Sequence, residues 1–247
     1  MKWIKSTFRT NSLARSLKEW LDDFLRVMDR SQSRSRILAS YLARERVDCV
    51  IDAGANVGQF GVDIRRCGYK GAIHSFEPSK SSYERLLKVS DRDDLWSVHN
   101  FGLGAQEAFL PLHLTENAGL SSSIKEQLRR DDIPSAYVKT VGDEIVSIKR
   151  IDSLEYFEDF KRVFLKIDTQ GYEYEVLLGA ESMFPKITSA LIETSFVETY
   201  LDHKTIDEII KLMQSKNFSL ADFFPHSYFD GIQVECDLYF LKRHSKH

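Results

Sequence analysis

Four acidic residues stand where a short run of strand-forming residues gives way to a turn. They are Asp52 after CVI, Glu77 after AIHSF, Asp168 after VFLKI and Glu193 after SALI. Runs of this kind read as buried strands. Parallel strands deliver their carboxyl ends to one edge of a sheet, and ligands bind beyond that edge. Carboxylates gathered there can accept hydrogen bonds from ribose hydroxyls, or take a proton from an acceptor hydroxyl as a general base. Four at one edge is more than core packing requires.

The first of these acids opens a glycine-rich turn. Residues 48–60 read DCVIDAGANVGQF, with glycines at 54, 58 and 61, and Phe60 and Ile64 share one face of a helix that follows. Strand, tight turn and helix together let the backbone approach a ligand and present free N–H groups to it. Glu77 follows Gly58 by 19 residues, the place of an acid that holds a ribose. Asn56 occupies the position where a dinucleotide fingerprint needs its second glycine, and Asn would crowd a pyrophosphate. No G-x-x-x-x-G-K-[ST] occurs, which excludes a P-loop. A nucleoside without phosphates fits better, and S-adenosylmethionine is the first candidate. A glycine-rich turn in an unrelated α/β protein is the bland alternative.

These residues need elements to position them. Strand-like and helix-like stretches alternate from residue 48 onward, which indicates a mainly parallel sheet with helices on both faces. Helices are expected over about 59–67, 79–89, 172–184 and 205–215, with a short one over 152–160. Strands are expected over 48–52, 72–77, 96–101, 163–168, 189–194, 218–223 and 235–241. Residues 109–114, 137–141 and 145–151 read as further β segments, and 115–124 as a polar loop. Two amphipathic helices, about 12–30 and 36–46, precede all of this. Residues 1–46 are therefore expected to form a helical cap and 47–247 the catalytic domain, the cap shielding the cofactor or the sheet. A contact between copies is the runner-up role for the cap.

Composition narrows the class. The chain has 247 residues, 43% hydrophobic and 29% charged, ordinary values for a globular protein. No run approaches the ~18 apolar residues of a membrane helix. The N-terminus lacks the apolar core of a secretory signal, and Cys49, Cys67 and Cys236 form no C-x-x-C pair, so a cytoplasmic location is expected. Residues 1–46 carry 11 Lys/Arg against 5 Asp/Glu, the remainder 23 against 32. That basic segment could touch an anionic membrane surface weakly, although a solvated helical face is the preferred reading. Its aromatic residues do not interleave with its charges, so no nucleic-acid partner is expected.

Taken together, VIDAGANVGQF (50–60), GYKGAIHSFEP (68–78), FLKIDTQGYEYEVLLGA (164–180), LIET (191–194) and ECDLYFLK (235–242) resemble the FkbM-type S-adenosylmethionine-dependent methyltransferases. The resemblance covers roughly residues 36–243. It implies an α/β fold of the Rossmann-like class I methyltransferase type, with seven strands, the last antiparallel. It also implies O-methylation, commonly of a sugar hydroxyl in a glycan, glycolipid or antibiotic. It places Gly54, Asn56 and Gly58 along the methionine part of the cofactor, Glu77 on the ribose and Asn100, Phe101 and Gly102 beside the adenine. Ser121 and Ser122 match a serine pair near the cofactor, and Asp52, Ala55, Phe76 and Asp168 complete the expected cofactor set. Relatives commonly carry Glu where this chain has Gln170, a side chain expected to face outward.

The candidate catalytic acids are Asp168, Glu193 and Glu173. Asp168 is the best placed to take a proton, and an acid that only orients the cofactor is the competing role for it. Glu173 sits in a first helical turn, where it also suits the helix dipole. Asp168, Glu193 and His203 could together hold a divalent cation, but they lack a tight ligand spacing, so no metal is expected. A nucleoside-binding α/β protein of another class, such as an NAD-dependent enzyme, is the alternative function.

Overall fold

The structure, a computed structural model, describes residues 33–116 and 122–243. The expected helix over 12–30 and the residue Ser121 lie outside them, as does most of the proposed cap. The first described element is helix α1, residues 33–44. Its Leu38 and Leu42 are buried, and Tyr41 stacks on Tyr239 with ring centroids 4.5 Å apart.

Seven strands form the main sheet: β1 (Cys49–Ala53), β2 (Ala72–Phe76), β3 (Trp96–His99), β7 (Val163–Ile167), β8 (Ile187–Ser195), β9 (Phe218–Phe229) and β10 (Ile232–Lys242), in the order β3-β2-β1-β7-β8-β10-β9. β1 pairs in parallel with β2 and β7, as do β2 with β3 and β7 with β8. The last strand, β10, inserts between β8 and β9 and runs antiparallel to both. This is the Rossmann-like arrangement expected.

The central strands are apolar on both faces because helices cover both. β1 and β7 are buried at every position. One face packs with α1, α2 (Gln59–Arg66) and α3 (Lys80–Ser90) around Val50, Ile64, Leu86 and Phe164. The other packs with α4 (Glu173–Leu178) and α5 (Ile206–Ser215) around Ile51, Leu165, Val176 and Met213. A capping box of Thr205 and Glu208 starts α5, satisfying N–H groups that the first turn leaves free.

A second sheet of three strands, β4 (Gly102–Leu103), β6 (Thr140–Lys149) and β5 (Ala108–Thr115), has the order β4-β6-β5. The two β segments read at 137–141 and 145–151 are one strand here, β6, continuous through Gly142. The helix expected over 152–160 is replaced by 3-10 turns at Ile151–Ser153 and Glu155–Phe157. The helix expected over 172–184 ends at Leu178, with Gly179 as its C-cap; Gly179 packs against the carbonyl of Gly104, where a Cβ would lie 2.0 Å away.

His74 and His99 are neighbours on β2 and β3, with Nδ1 and Nε2 3.2 Å apart. They stack with Tyr156 and Phe76. Burial pushes His99 down to about 4, and the neighbouring His74 and Lys149 push the same way. A histidine kept neutral in the fold binds fewer protons than in the unfolded chain, so stability falls as pH drops from the unfolded value toward about 4. Buried carboxyls such as Glu77 act in the opposite direction over the same range, so the expected outcome is a difference: relative to the unaltered protein, His99→Phe should gain melting temperature as pH falls from about 7 to about 5. A difference that stays constant with pH would refute this role of His99.

Candidate active site

A cleft of about 570 Å³ opens over the carboxyl edge of the parallel strands. Its first wall is the β1–α2 turn. Gly54 has φ +73°, and a Cβ there would lie 1.8 Å from the carbonyl oxygen of Asp168. Only glycine lets β1 and β7 leave the sheet side by side at this point. The N–H groups of Gly54 and Ala55 donate to the carbonyl of Phe76, each at 3.1 Å, so β2 holds the turn.

Glu77 is buried at the next strand end. Its carboxylate accepts the N–H of Asn56 at 2.8 Å and that of Ser79 at 2.9 Å. Burial pushes its pKa up to about 7 against the pull of those two N–H groups and of Lys166. Asn56 holds a left-handed φ of +49°, and its Oδ1 is buried without a hydrogen-bond partner among the described residues. An orphaned acceptor on the wall of a cleft calls for a donor from a ligand.

The opposite wall is apolar. Leu103, Leu112, Ile124 and Ile148 line it, drawn mostly from the small sheet. Gly102 also faces the cleft beside Pro78.

The floor is polar and centres on Lys166, which sequence reasoning passed over as one more residue of VFLKI. Its ammonium lies 3.1 Å from Asp52 Oδ1 and 3.6 Å from Asp168 Oδ2, and it donates to the carbonyl of Gly54 at 2.8 Å. Burial alone would lower the Lys166 pKa, but Asp52 and Asp168 more than offset it and hold the lysine charged. Asp52 is fully buried and also accepts from Ser75 Oγ at 3.0 Å.

Asp168 follows β7 with 37% of its side chain exposed to the cleft. Burial pushes its pKa up, but Lys166 and hydrogen bonds from Glu193 and Gln170 prevail and hold it below the usual carboxylate range. Glu193 is the reverse case: burial, then Asp168 and Glu235, raise it well above that range. Gln170 joins the two. Its Nε2 donates to Asp168 Oδ1 at 3.0 Å and to Glu193 Oε2 at 2.5 Å, while its Oε1 accepts from the Tyr200 hydroxyl at 2.8 Å. The expectation that Gln170 faces outward is thus corrected. Its backbone turns at φ +54°, with Gly171 at +93° packed against the Tyr200 ring, and this double turn directs the side chain inward.

Of the residues singled out in the sequence, Gly54, Ala55, Asn56, Glu77, Gly102, Ser122, Asp168 and Glu193 line the cleft. Others stand behind it. Asp52 supports Lys166, Gly58 and Phe76 lie in the packing, and Asn100 donates to the carbonyls of Glu77 and Pro78. Phe101 packs against Phe76. Glu173 braces the 169–171 turn instead of lining the cleft, accepting from the Thr169 and Gly171 N–H groups at 2.9 and 3.1 Å. His203 stays apart from Asp168 and Glu193, its Nδ1 accepting the N–H of Tyr200. From β9 and β10, Ser227, Phe229 and Glu235 also line the cleft, and behind Glu193 lie His226 and Asp237, the imidazole 3.5 Å from Glu193 Oε1 and 3.7 Å from Asp237 Oδ2. The acidic start of ECDLYFL was a usable signal, because an antiparallel last strand brings its first residues to the edge where parallel strands end.

The model of the methyltransferase FkbM domain matches residues 52–220. The chain belongs to the FkbM methyltransferase family. Its cofactor is S-adenosylmethionine, which sets aside the dinucleotide alternative. Among curated relatives, methyltransferase sdnD of Sordaria araneosa is 27% identical, the alignment covering 70% of this chain and 74% of the relative. The hexuronic acid methyltransferase AglP of Haloferax volcanii is 22% identical, with 84% of each covered. Among solved structures, the magnesium protoporphyrin IX methyltransferase of Synechocystis with S-adenosylmethionine bound has a TM-score of 0.48 at 10% identity, covering 88% of this chain and 82% of that one.

The glycine turn, the orphaned Asn56 Oδ1 and the Glu77 carboxylate fit a nucleoside bearing hydroxyl and amino donors. If ribose hydroxyls donate to Glu77, its ionised form binds best. Affinity for S-adenosylhomocysteine should then fall by about tenfold from about pH 8 to about pH 6, a dependence that Glu77→Gln removes. Calorimetry showing a flat profile in the unaltered protein would refute the assignment. For the floor, Lys166→Met should destabilise by about 3–5 kcal/mol, because it leaves Asp52 buried and unpaired, and adding Asp52→Asn should recover part of the loss. A urea midpoint unmoved by Lys166→Met would contradict this.

Proposed function

We propose that this methyltransferase acts on a hydroxyl of a sugar, in a glycan, glycolipid or glycosylated natural product, in the cytoplasm. One observation carries the reading. From Asp168, beside the glycine turn, to Glu193, Glu235 and Ser227, the cleft is lined by groups that accept hydrogen bonds from hydroxyls. Phe229 also lines the cleft, and an aromatic residue together with such acceptors suits a carbohydrate. A relative named for hexuronic acid supports a carbohydrate substrate as well. Free thiols at Cys49, Cys67 and Cys236 support the compartment.

Bound S-adenosylmethionine supplies a methyl group made electrophilic by its sulfonium. The chain has three tasks around it. Gly54, Asn56 and Glu77 hold and orient the nucleoside. The apolar wall from Leu103 to Ile148 keeps water from the reacting centre. Asp168 takes the proton of the acceptor hydroxyl: it faces the cleft, Lys166 keeps it anionic, and Gln170 fixes its direction. Glu193 positions the acceptor beside it.

With labelled S-adenosylmethionine and sugar acceptors, product should carry the methyl as an ether stable to mild alkali. Asp168→Asn should slow transfer by about 10²–10⁴-fold. Glu193→Gln should lower the rate and leave S-adenosylhomocysteine affinity intact. Label released by alkali, or a full rate in Asp168→Asn, would overturn the assignment.

A further inference from the structure

Three strands at the antiparallel end of the sheet bring Glu193 (β8), His226 (β9) and Glu235 (β10) to one place. Each offers one ligand atom, and the three atoms lie within 4.8 Å of one another. His226 Nε2 faces two carboxylates, 3.5 Å from Glu193 Oε1 and 3.7 Å from Asp237 Oδ2. Among the described residues neither contact is a hydrogen bond. The nitrogen is therefore directed at carboxylate oxygens within ion-pair range and without a hydrogen bond to them.

Each group also has a hydrogen-bond partner within the fold, Ser227 for Glu235. His226 Nδ1 and Ser227 Oγ are 2.9 Å apart, and Glu193 Oε2 accepts from Gln170, which Tyr200 anchors in turn. Metal-ligating histidines engage their second nitrogen in this way, and ligating carboxylates are hydrogen-bonded from behind. Among the described residues, the two cationic side chains that line the cleft already have carboxylate partners. Lys166 sits between Asp52 and Asp168, and Arg34 lies 2.5 Å from Asp237 Oδ2. The imidazole, contributed by a third strand, separates this group from a patch of acids.

We propose that Glu193, His226 and Glu235 bind one divalent cation, Mn²⁺ or Mg²⁺, at the far end of the cleft. Two carboxylates and one imidazole suit such an ion. Glu193 and Glu235 also line the cleft, so the ion's remaining positions open toward the acceptor. There two adjacent hydroxyls of a sugar can coordinate it, which orients the diol beside Asp168. That role rests on the sugar-hydroxyl reading; the site does not. The ligands are far apart in sequence, at 193, 226 and 235, so the search for a tight ligand spacing could not find them.

The test is a Mn²⁺ titration of the full chain saturated with S-adenosylhomocysteine, read by calorimetry and by electron paramagnetic resonance, with no acceptor present. One Mn²⁺ per chain is expected. His226→Ala and Glu235→Gln should each weaken it by at least about tenfold while S-adenosylhomocysteine affinity stays unchanged, which shows that both variants fold. No Mn²⁺ binding at millimolar concentration, or binding that both variants leave intact, overturns the site. Because no acceptor takes part, that result leaves the sugar reading standing. Conversely, failure to methylate sugars leaves the cation result untouched.

Discussion

Most of this site depends on one buried cation. Taking the Lys166 ammonium out of water costs several kcal/mol, and only close, well-directed anions offset that. Asp52 supplies the first from the neighbouring strand, in register with Lys166. Asp168 supplies the second, two residues further on, just past the end of β7. The carbonyl of Gly54 supplies a third contact, so the lysine ties the glycine turn to the end of β7. Ser75 and Trp96 extend the row outward: Trp96 Nε1 donates to Ser75 Oγ, and Ser75 Oγ to Asp52, each at 3.0 Å. A row of polar contacts thus crosses four strands beneath the cleft.

This row also divides the labour among the acids. Asp168, next to Lys166, is kept anionic; Glu193, one strand further on, faces Asp168, Glu235 and Asp237 with no lysine of its own, and its carboxyl is pushed the other way. The Gln170 amide spans both and would be a poor bridge if it were a third carboxylate. Two carboxyl groups of one chemistry therefore acquire different roles from their surroundings.

The reversed strand sets the character of the far end. Had β10 run parallel, its start would lie at the opposite edge of the sheet. Running antiparallel between β8 and β9, it pairs Asp237 with Glu193 and brings Glu235 beside Ser195 and Ser227. The end of the cleft lined by Glu193 and Glu235 is consequently built from the starts and ends of strands at once.

Much was determined by the sequence alone. Runs such as CVIDAGANVG and FLKID carry strand, turn and acid in adjacent residues, and local spacing is enough to read them because strand period and turn chemistry are local properties. Glu77, Asp168 and Glu193 were found in this way, as was the α/β class. Only the tertiary structure decided the rest. Lys166 looks like an interruption in an apolar run until Asp52 and Asp168 are seen on either side of it. Gln170 turns inward because of a left-handed backbone and a tyrosine 30 residues away, neither of which its neighbours in sequence announce. His226, Glu235 and Glu193 meet because three strands are ordered as they are, and strand order is a property of the whole sheet that no local pattern encodes.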